Sequence, residues 1–372
     1  MELLVQPGDG VSLLVKGINS ARKSVEIVIF RFDQSEIERA LQNAVRRGIF
    51  VHALIAYTNR GGEKNLRKLE MRLLAAGVSV ARTAEDLARY HDKLMIIDRS
   101  ALYLLAFNFT HLDIEHSRSF GIITKNRSLV QEAVRLFEAD TQRQPYTARL
   151  DSFVVSPANA RKALTRFIQG SKKQLLIYDI KISDPAMTRL LGERARAGVE
   201  IKIIGRLTRK AVKLDVRRLA RLRLHTRTII RDRSAVFLGS QSLRALELDN
   251  RREVGIIFRD ARVVSNLIKT FEADWESSLT GEPPAEETGA IQEAIPAAKT
   301  AKKVAKAIAG ELPPVSSVLE RIVTEAVGKD IDVRVDCDDV EKALKQAVKG
   351  AVRDAVEDIV QQVADQKEIR KS

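Results

Sequence analysis

The stretches HDKLMIID at residues 91–98 and HTRTIIRD at residues 225–232 carry the same spacing of distinctive side chains. In each stretch a basic residue follows the histidine by two positions, and an aspartate follows that basic residue by five. The two histidines, His91 and His225, lie 134 positions apart (225 minus 91). An internal repeat that brings two histidines to equivalent places predicts one active site built across a pseudo-twofold axis.

The repeat extends well beyond these two stretches. In the N-terminal part of each half the offset is 150, so that Pro7 matches Pro157. From His91 onward the offset is 134, so that FGII at 120–123 matches VGII at 254–257. The first half therefore carries 16 more residues (150 minus 134) between the two blocks. A period of this length is too long for a solenoid and indicates a duplicated domain of ordinary size.

Within each half, β-branched runs alternate with amphipathic segments. This pattern predicts strands alternating with helices in a mixed α/β sandwich. Gly48 and Gly198 follow predicted helices at the position where a left-handed residue commonly ends one. We expect strands at 25–30, 50–56, 91–98, 101–107, 175–178, 201–204, 225–232 and 235–239, and helices at 35–47, 128–142, 186–197 and 261–275.

Composition limits the class of protein. The 372 residues include a single cysteine, Cys337, which excludes an internal disulfide and a cysteine-based metal cluster. No apolar run approaches the 18 or so residues of a membrane-spanning helix. The first residues lack the basic leader and apolar stretch of a secretory signal. We therefore expect a cytoplasmic protein, with peripheral association at the inner membrane face as the alternative.

The charge of the chain is strongly positive. The formal net charge is +14, and residues 281–372 carry −4, so that residues 1–280 carry +18 (14 plus 4). Such a field attracts polyanions that bear phosphates, whether nucleic acid or anionic lipid headgroups. The alternative interpretation is a charge that only maintains solubility. Charge alone does not distinguish a lipid from a nucleic acid.

The spacing within the two stretches suits phosphate chemistry. On a strand, positions i and i+2 share a face, so His91 would point the same way as Lys93, and His225 the same way as Arg227. An imidazole can attack phosphorus or transfer a proton, while a neighbouring cation offsets the phosphate charge. Two aspartates at the strand ends, Asp98 and Asp232, would either orient a partner or cap the turn.

These residues resemble the phospholipase D superfamily, whose signature HxKxxxxD is followed by GSxN and later by a glutamate. The resemblance covers about residues 1–280. The first stretch matches the signature fully, and Asn108 keeps the asparagine of the second element. The Gly-Ser pair before Asn108 is replaced, and Ser119 stands where the glutamate is expected.

The second half departs from the signature at other positions. Arg227 replaces the lysine and Ser242 the asparagine, whereas Gly239, Ser240 and Glu253 are kept. Each half therefore supplies what the other lacks, which favours one shared and asymmetric site. Arginine is not a free substitute for lysine, although its planar fork suits phosphate oxygens.

The resemblance implies two α/β sandwich halves of phospholipase D type, related by a pseudo-twofold axis. It also implies a two-step reaction that uses no metal or cofactor. His91 would attack the phosphodiester and form a phosphohistidine, and His225 would act as acid and base, although the reverse assignment stays open. Glu253 would orient a histidine, and Asp98 and Asp232 would support the site. Phosphate binding would fall to Lys93, Arg227, Asn108, Ser240 and Ser242.

Three classes of function follow. The leading one is a phospholipase D-like phosphodiesterase that acts on a phospholipid, by hydrolysis or by headgroup transfer, at an anionic membrane surface. The second is a nuclease or other nucleic-acid phosphodiesterase, although 5% aromatic residues are sparse for a base-stacking platform. The third is an inactive module that binds phosphate or membranes.

Some features outside the signature have structural interpretations. We expect His52 to lie in the core or at its rim, and His111 and His116 to lie in a surface loop or to line the cleft. The cationic segment 217–223 favours a solvated helix face over a path for a polyanion.

The chain divides by composition into four parts. We expect two phospholipase D-like domains at 1–145 and 146–280, a linker at 281–315 and a helical C-terminal extension at 316–372. The extension has an amphipathic pattern whose polar face mixes both signs of charge, which favours self-association over membrane insertion.

Overall fold

The computed structural model describes residues 1–57, 63–208 and 214–280. The first half comprises β1 (Glu2–Gln6), α1 (Ser12–Ser20), β2 (Ser24–Ile29), α2 (Ser35–Arg46), β3 (Phe50–Ile55), α3 (Glu63–Ala75), β4 (Ser79–Arg82), β5 (Arg89–Tyr90), β6 (Leu94–Ile97), β7 (Ala101–Leu105), α4 (His111–Glu115), β8 (Ser117–Thr124) and α5 (Arg127–Gln142). The second comprises β9 (Phe153–Ser156), α6 (Ala160–Gln169), β10 (Gln174–Ile182), α7 (Pro185–Arg196), β11 (Glu200–Leu207), β12 (Asp215–Arg218), β13 (Arg223–Leu224), β14 (Arg227–Arg231), β15 (Ala235–Gly239), α8 (Ala245–Asp249), β16 (Arg251–Phe258), α9 (Ala261–Glu276) and β17 (Leu279–Thr280).

Each half forms a mixed sheet with the same strand order. The first sheet runs β1-β8-β7-β6-β2-β3-β4, and the second places β9 beside β16 and continues β15-β14-β10-β11-β12. In both sheets two parallel pairs lie at one end, and the other pairs along these two paths are antiparallel. The mixed α/β architecture with duplicated halves confirms the fold class that the repeat predicted.

Two short strands cross from one half to the other. β5 of the first half pairs in parallel with β16, where Arg89 lies opposite Arg251. β13 of the second half pairs in parallel with β8, where Arg223 lies opposite Ser117. Each strand immediately precedes one of the two histidines. The exchange therefore fixes each histidine against the opposite half.

One hydrophobic core is shared by the two halves. It contains buried residues of β6, β7, β8 and α5 together with residues of β9, β10, β16 and α9. Tyr178 is fully buried in it, and its ring packs edge-on against Phe120 of the first half and Phe271 of the second, with centroids 5.5 and 4.9 Å away. Two further cores lie on the outer faces of the sheets, each within one half. The shared core holds the two sheets in a fixed relation around the site.

The predicted elements are found with small shifts at most of their ends. The glycines that end α2 and α7, Gly48 and Gly198, have φ of +79° and +85°. Two predictions were wrong. The strands expected at 91–98 and 225–232 begin only at Leu94 and Arg227, because the residues before them pair with the other half.

The second error concerns the cationic segment 217–223. It lies in β12, a turn and β13 rather than on a helix. Helix α3 (Glu63–Ala75) was not predicted, and it occupies part of the longer connection of the first half. The linker and extension predicted at 281–315 and 316–372 lie outside the described residues, and the boundary near residue 145 stays a prediction.

Candidate active site

The backbone places the two histidines at equivalent points of the repeat. The N–H of His91 donates to the carbonyl oxygen of Arg252, at 2.8 Å, directly after β5 pairs with β16. The N–H of His225 donates to the carbonyl oxygen of Arg118, at 3.0 Å, directly after β13 pairs with β8. Arg118 and Arg252 are themselves 134 positions apart (252 minus 118). The strand exchange thus builds the same backbone anchor twice.

His91 is held by a carboxylate from the second half. Its Nδ1 lies 2.9 and 3.0 Å from the two carboxylate oxygens of Glu253. Its Nε2 lies 2.8 Å from Nζ of Lys93, and the same ammonium group donates to the carbonyl oxygen of His91 at 2.6 Å. The ring packs edge-on against Phe30, with centroids 4.6 Å apart. Glu253 therefore contacts this imidazole from the opposite half, and its role in orienting the ring stays a prediction.

His225 faces a carboxylate from the first half. Its Nδ1 lies 3.2 Å from Oδ2 of Asp113, in ion-pair range but outside hydrogen-bond geometry. The hydroxyl of Ser119 lies 3.4 Å from the carbonyl oxygen of His225, to which it donates. The two imidazoles are therefore each matched with an acidic side chain of the opposite half. Asp113 was not predicted as a site residue.

Arg227 occupies the position that Lys93 holds in the first half. Nη1 of Arg227 donates to the carbonyl oxygen of His225 at 3.3 Å, just as the ammonium of Lys93 donates to that of His91. Nε of Arg227 donates to Oγ of Ser242 at 3.1 Å. Ser242 is shorter than the asparagine of the signature, and its hydroxyl accepts the longer guanidinium. The two departures in the second half thus fit each other.

Both imidazoles respond to the same cations. Burial lowers the pKa of His91 well below its usual value, and the charges of Lys93 and Arg227 lower it further. Burial also lowers the pKa of His225 strongly, and Arg227 and Lys93 are again among the causes. The same two cations, one from each half, thus act on both imidazoles. The two histidines, one from each half, therefore share one charged environment.

The pKa values of Lys93 and Glu253, which contact His91, are shifted as well. Burial lowers the pKa of Lys93 to about 7, although the nearby charge of Glu253 opposes the shift. Burial raises the pKa of Glu253 to about 8, and the charge of Glu247 adds to this. Groups that titrate near neutral pH are concentrated at catalytic sites, where protons must move.

Asn108 and Ser240, the remaining residues predicted to bind phosphate, form hydrogen bonds with neighbouring protein groups. The side-chain amide of Asn108 donates to Oδ2 of Asp113 at 2.7 Å, and its buried Oδ1 accepts no hydrogen bond from the part of the chain that the structure describes. The hydroxyl of Ser240 accepts from the N–H of Val254 at 3.1 Å and shapes the turn after β15. Phosphate binding by these residues stays a prediction.

Asp98 and Asp232 lie at the far ends of their strands from the histidines. The four residues of β6, at about 3.3 Å each, separate the two ends by roughly 13 Å. The carboxylate of Asp98 accepts hydrogen bonds of 2.7–3.0 Å from the backbone N–H groups of residues 22–24. Asp232 does the same for residues 172–174. Of the two roles that the sequence allowed, the structure shows the one in which each aspartate caps a turn.

Replacing Asp98 with alanine is expected to lower the free energy of unfolding by about 2 kcal/mol, because three N–H groups lose their acceptor. A φ of +51° adds strain for alanine at this position. Asp232→Ala is the matched variant, with φ of +50° and the same three contacts. Urea unfolding measures both, and turnover per folded molecule should change little. A loss of turnover as large as that of a histidine variant would indicate that Asp98 acts in the site.

The other histidines lie in structural positions. His52 is half-buried in β3, with its ring against Phe50 and Phe137. His111 begins the short helix α4, is largely exposed and pairs with Glu115 at 2.7 Å. His116 follows that helix directly. Across the described ranges, no three His, Cys, Asp or Glu side chains are grouped as a metal ion would require, and no helix is long and apolar enough to cross a membrane.

A family model and curated relatives match the chain. The model, described as cardiolipin synthase, PLD-like domain, matches residues 14–141 and 164–275, once in each half. The mitochondrial cardiolipin hydrolase of Danio rerio is 30% identical over 132 residues, which are 34% of this chain and 57% of that protein. The same enzyme of Mus musculus is 30% identical over 137 residues, which are 36% of this chain and 57% of that protein. The chain thus spans less than two thirds of these relatives.

Solved structures share the fold at low identity. Polyphosphate kinase from Porphyromonas gingivalis superposes with a TM-score of 0.63 at 21% identity, over 77% of this chain and 52% of that chain. Phosphatidylserine synthase from Haemophilus influenzae superposes with a TM-score of 0.57 at 10% identity, over 75% and 87%. The family match covers both halves, and each match includes one of the two histidine stretches. The chain belongs to the phospholipase D superfamily, in its family of cardiolipin synthase-like phosphodiesterases.

Proposed function

We propose that the chain cleaves or transfers the phosphodiester of a phospholipid through a phosphohistidine intermediate. The observation that carries the proposal is the pair of buried imidazoles, each matched with a carboxylate of the opposite half. Lys93 and Arg227 supply positive charge to both. The choice of a phospholipid is supported by the relatives, which are named cardiolipin hydrolases, and by the fold shared with a phosphatidylserine synthase.

In the first step His91 acts as the nucleophile. Glu253 accepts a hydrogen bond from Nδ1–H, which keeps the lone pair on Nε2, the atom that attacks phosphorus. The bond between phosphorus and the leaving oxygen breaks, and that oxygen takes a proton from the imidazolium of His225. Lys93 moves from Nε2 to the phosphate oxygens, where its charge offsets the charge that develops in the transition state.

In the second step His225, now neutral, removes a proton from water or from a second alcohol. The resulting oxygen attacks phosphorus, and the bond between phosphorus and His91 breaks, which restores the starting site. Water gives hydrolysis, whereas an alcohol gives transfer of the phosphatidyl group. The same residues support both outcomes, so that the acceptor decides between them.

The bound substrate would determine the protonation state of His225. In the free site, burial and the nearby cations favour the neutral form of both imidazoles. A phosphodiester brings one negative charge beside Lys93 and Arg227, which offsets their effect and favours a protonated imidazole. The pair should therefore titrate as a unit and give a bell-shaped rate profile.

A nucleic-acid phosphodiesterase is the second candidate, because the net charge of +14 favours any phosphate polyanion. A paired assay distinguishes the two. Unaltered protein and His91→Ala are compared on phospholipid vesicles, with and without an anionic phospholipid, and on labelled single-stranded and double-stranded DNA. Turnover of vesicles alone supports the proposal, and turnover of DNA alone supports a nuclease. Binding without turnover of either would indicate an inactive module.

A further inference from the structure

The inference concerns Asp113, and it rests on the proposed function. The repeat predicts a carboxylate for His225 at Ser119, which lies 134 positions before Glu253 (253 minus 119). Serine carries no charge. His225 therefore has no carboxylate at the position that matches Glu253, the partner of His91. Asp113 lies six positions before Ser119. It comes from the half opposite to His225, just as Glu253 comes from the half opposite to His91. The first half therefore supplies its carboxylate from a different position.

The side chain of Asp113 is fixed from several directions. It is 1% exposed and lies in the first turn of α4. Its Oδ2 accepts hydrogen bonds from the backbone N–H and the side-chain amide of Asn108, both at 2.7 Å. Its Oδ1 accepts one from Nη2 of Arg223 at 2.9 Å. A carboxylate with this many donors keeps one orientation.

The same contacts connect Asp113 to the position of His225. Arg223 lies two residues before His225 on β13, the strand that crosses from the second half. Its ion pair with Asp113 therefore anchors the segment that carries the imidazole. Nδ1 of His225 is buried, accepts or donates no hydrogen bond among the described residues, and lies 3.2 Å from Oδ2 of Asp113. Catalytic hydrogen bonds are often poorly aligned before substrate binds, so a small rotation of the ring would close this one.

The matching position of the second half serves a different group. Glu247 lies 134 positions after Asp113 (247 minus 113), and its carboxylate accepts from the N–H of Ser242 at 2.7 Å, just as Asp113 accepts from that of Asn108. Its other contacts are with arginines, including Arg251 at 3.4 Å. One acidic position of the repeat thus serves a cation cluster in one half and an imidazole in the other.

We propose that Asp113 is the positioning residue of His225. Its carboxylate would keep the proton on Nδ1, direct Nε2 toward the phosphorus and stabilise the imidazolium that protonates the leaving group. Asp113 would thereby replace the carboxylate that the repeat lost at Ser119. The site then contains one histidine oriented by glutamate and one oriented by aspartate, each from the opposite half.

Asp113→Asn tests this assignment, because it keeps the shape of the side chain and removes its charge. We expect turnover of an alkyl phosphodiester to fall about 100-fold or more, in line with the loss of general acid catalysis. The basic limb of the rate profile should move to lower pH, because the imidazolium of His225 loses its counter-charge. Asp113→Glu keeps the charge and should lose less. Glu115→Gln is the control, since it makes the same change on helix α4 at an exposed carboxylate that pairs with His111 and not with His225.

The nitrogen NMR shifts of the histidine rings give a readout that needs no turnover. The chain has five histidines, so replacing each in turn assigns the signals. Asp113→Asn should change the shifts of His225 and leave those of His91 in place. Unchanged shifts of His225, or an equal loss of turnover in Glu115→Gln, would overturn the role of Asp113. If the unaltered protein cleaves no phosphodiester but the shifts of His225 change, the contact stands and the proposed function fails.

Discussion

His91→Ala is expected to lower turnover of a phosphodiester by at least about 10⁴-fold, because the variant lacks the side chain that we propose forms the covalent intermediate. Nδ1 of His91 is held by Glu253, so the lone pair lies on Nε2 and becomes available when Lys93 moves to the phosphate. Removal of the ring also leaves Lys93 without the acceptor of its 2.8 Å contact. Kinetics with a soluble short-chain substrate measure the loss without interference from membrane binding.

The loss of turnover in His225→Ala should depend on the leaving group, and this dependence distinguishes the roles of the two histidines. An alkyl leaving group needs a proton, so that the variant should lose about 10² to 10⁴ in turnover. A nitrophenyl leaving group departs as an anion, and the loss of the first step should then be small. His91→Ala should lose equally on both substrates. If the dependence on the leaving group appears in His91→Ala instead, the two assignments are reversed.

The covalent intermediate can be detected in the same variants. With the nitrophenyl substrate, His225→Ala should accumulate a phosphorylated peptide that contains residue 91, because the acid and base of the second step is missing. Rapid quenching and mass spectrometry of the peptides would locate the phosphoryl group. A labelled peptide that contains residue 225 in the unaltered protein would contradict His91 as the nucleophile. Near-normal turnover of an alkyl substrate by His225→Ala would contradict a shared site.

The sequence predicted most of the fold because the repeat compensates for weak local signals. Strands such as β2 (Ser24–Ile29) and β10 (Gln174–Ile182) are β-branched and apolar in both halves, so each supports the other. The strand exchange was not predictable in this way. β5 and β13 have two residues each, too few for any hydrophobic period. Their pairing is decided by the packing of the two halves and not by their own side chains.

The sequence indicated only those candidate site residues that belong to the phospholipase D signature. The contact between His91 and Lys93 follows from the spacing, although it forms before β6 begins and not on a strand face. Asp113 was missed because the signature has no acidic residue there. One signal was present in the sequence, since the offset of 134 aligns Asp113 with Glu247, five residues after Asn108 and Ser242 respectively. A charge kept in both halves at a buried position indicates a role in the site.

Arg252 anchors the backbone of His91 and is buried in the interface between the halves. Its guanidinium donates to the two oxygens of Asp140 at 3.0 and 2.8 Å, and it lies over the ring of Tyr90. The symmetric pair, Arg118 with Asp274 at 2.7 Å, connects the halves in the opposite direction. In each pair the arginine of one half meets the aspartate on the last helix of the other. These pairs therefore hold the strand exchange in register.

Arg252→Leu is expected to lower the free energy of unfolding by about 3–5 kcal/mol at pH 8, because it leaves a buried carboxylate without its partner. Burial already raises the pKa of Asp140 to about 7, although Arg252 opposes the shift, and Asp92 lies close by with a pKa of about 6. A carboxyl whose folded pKa exceeds its unfolded value destabilises the fold as the pH rises above the unfolded value. The loss should therefore be smaller at pH 5, where Asp140 can take up a proton.

Urea unfolding at the two pH values checks this, and the exposed pair of Arg233 and Glu272 provides the control. Both residues of that pair are about half exposed, so Arg233→Ala should cost less than about 1 kcal/mol at either pH. In Arg252→Leu combined with Asp140→Leu, the dependence on pH should largely disappear, because the uncompensated charge is gone. A loss in Arg252→Leu that matches the surface control at pH 8 would mean that the halves are held by their shared core alone. The ion pairs would then serve the register of the strands and contribute little to stability.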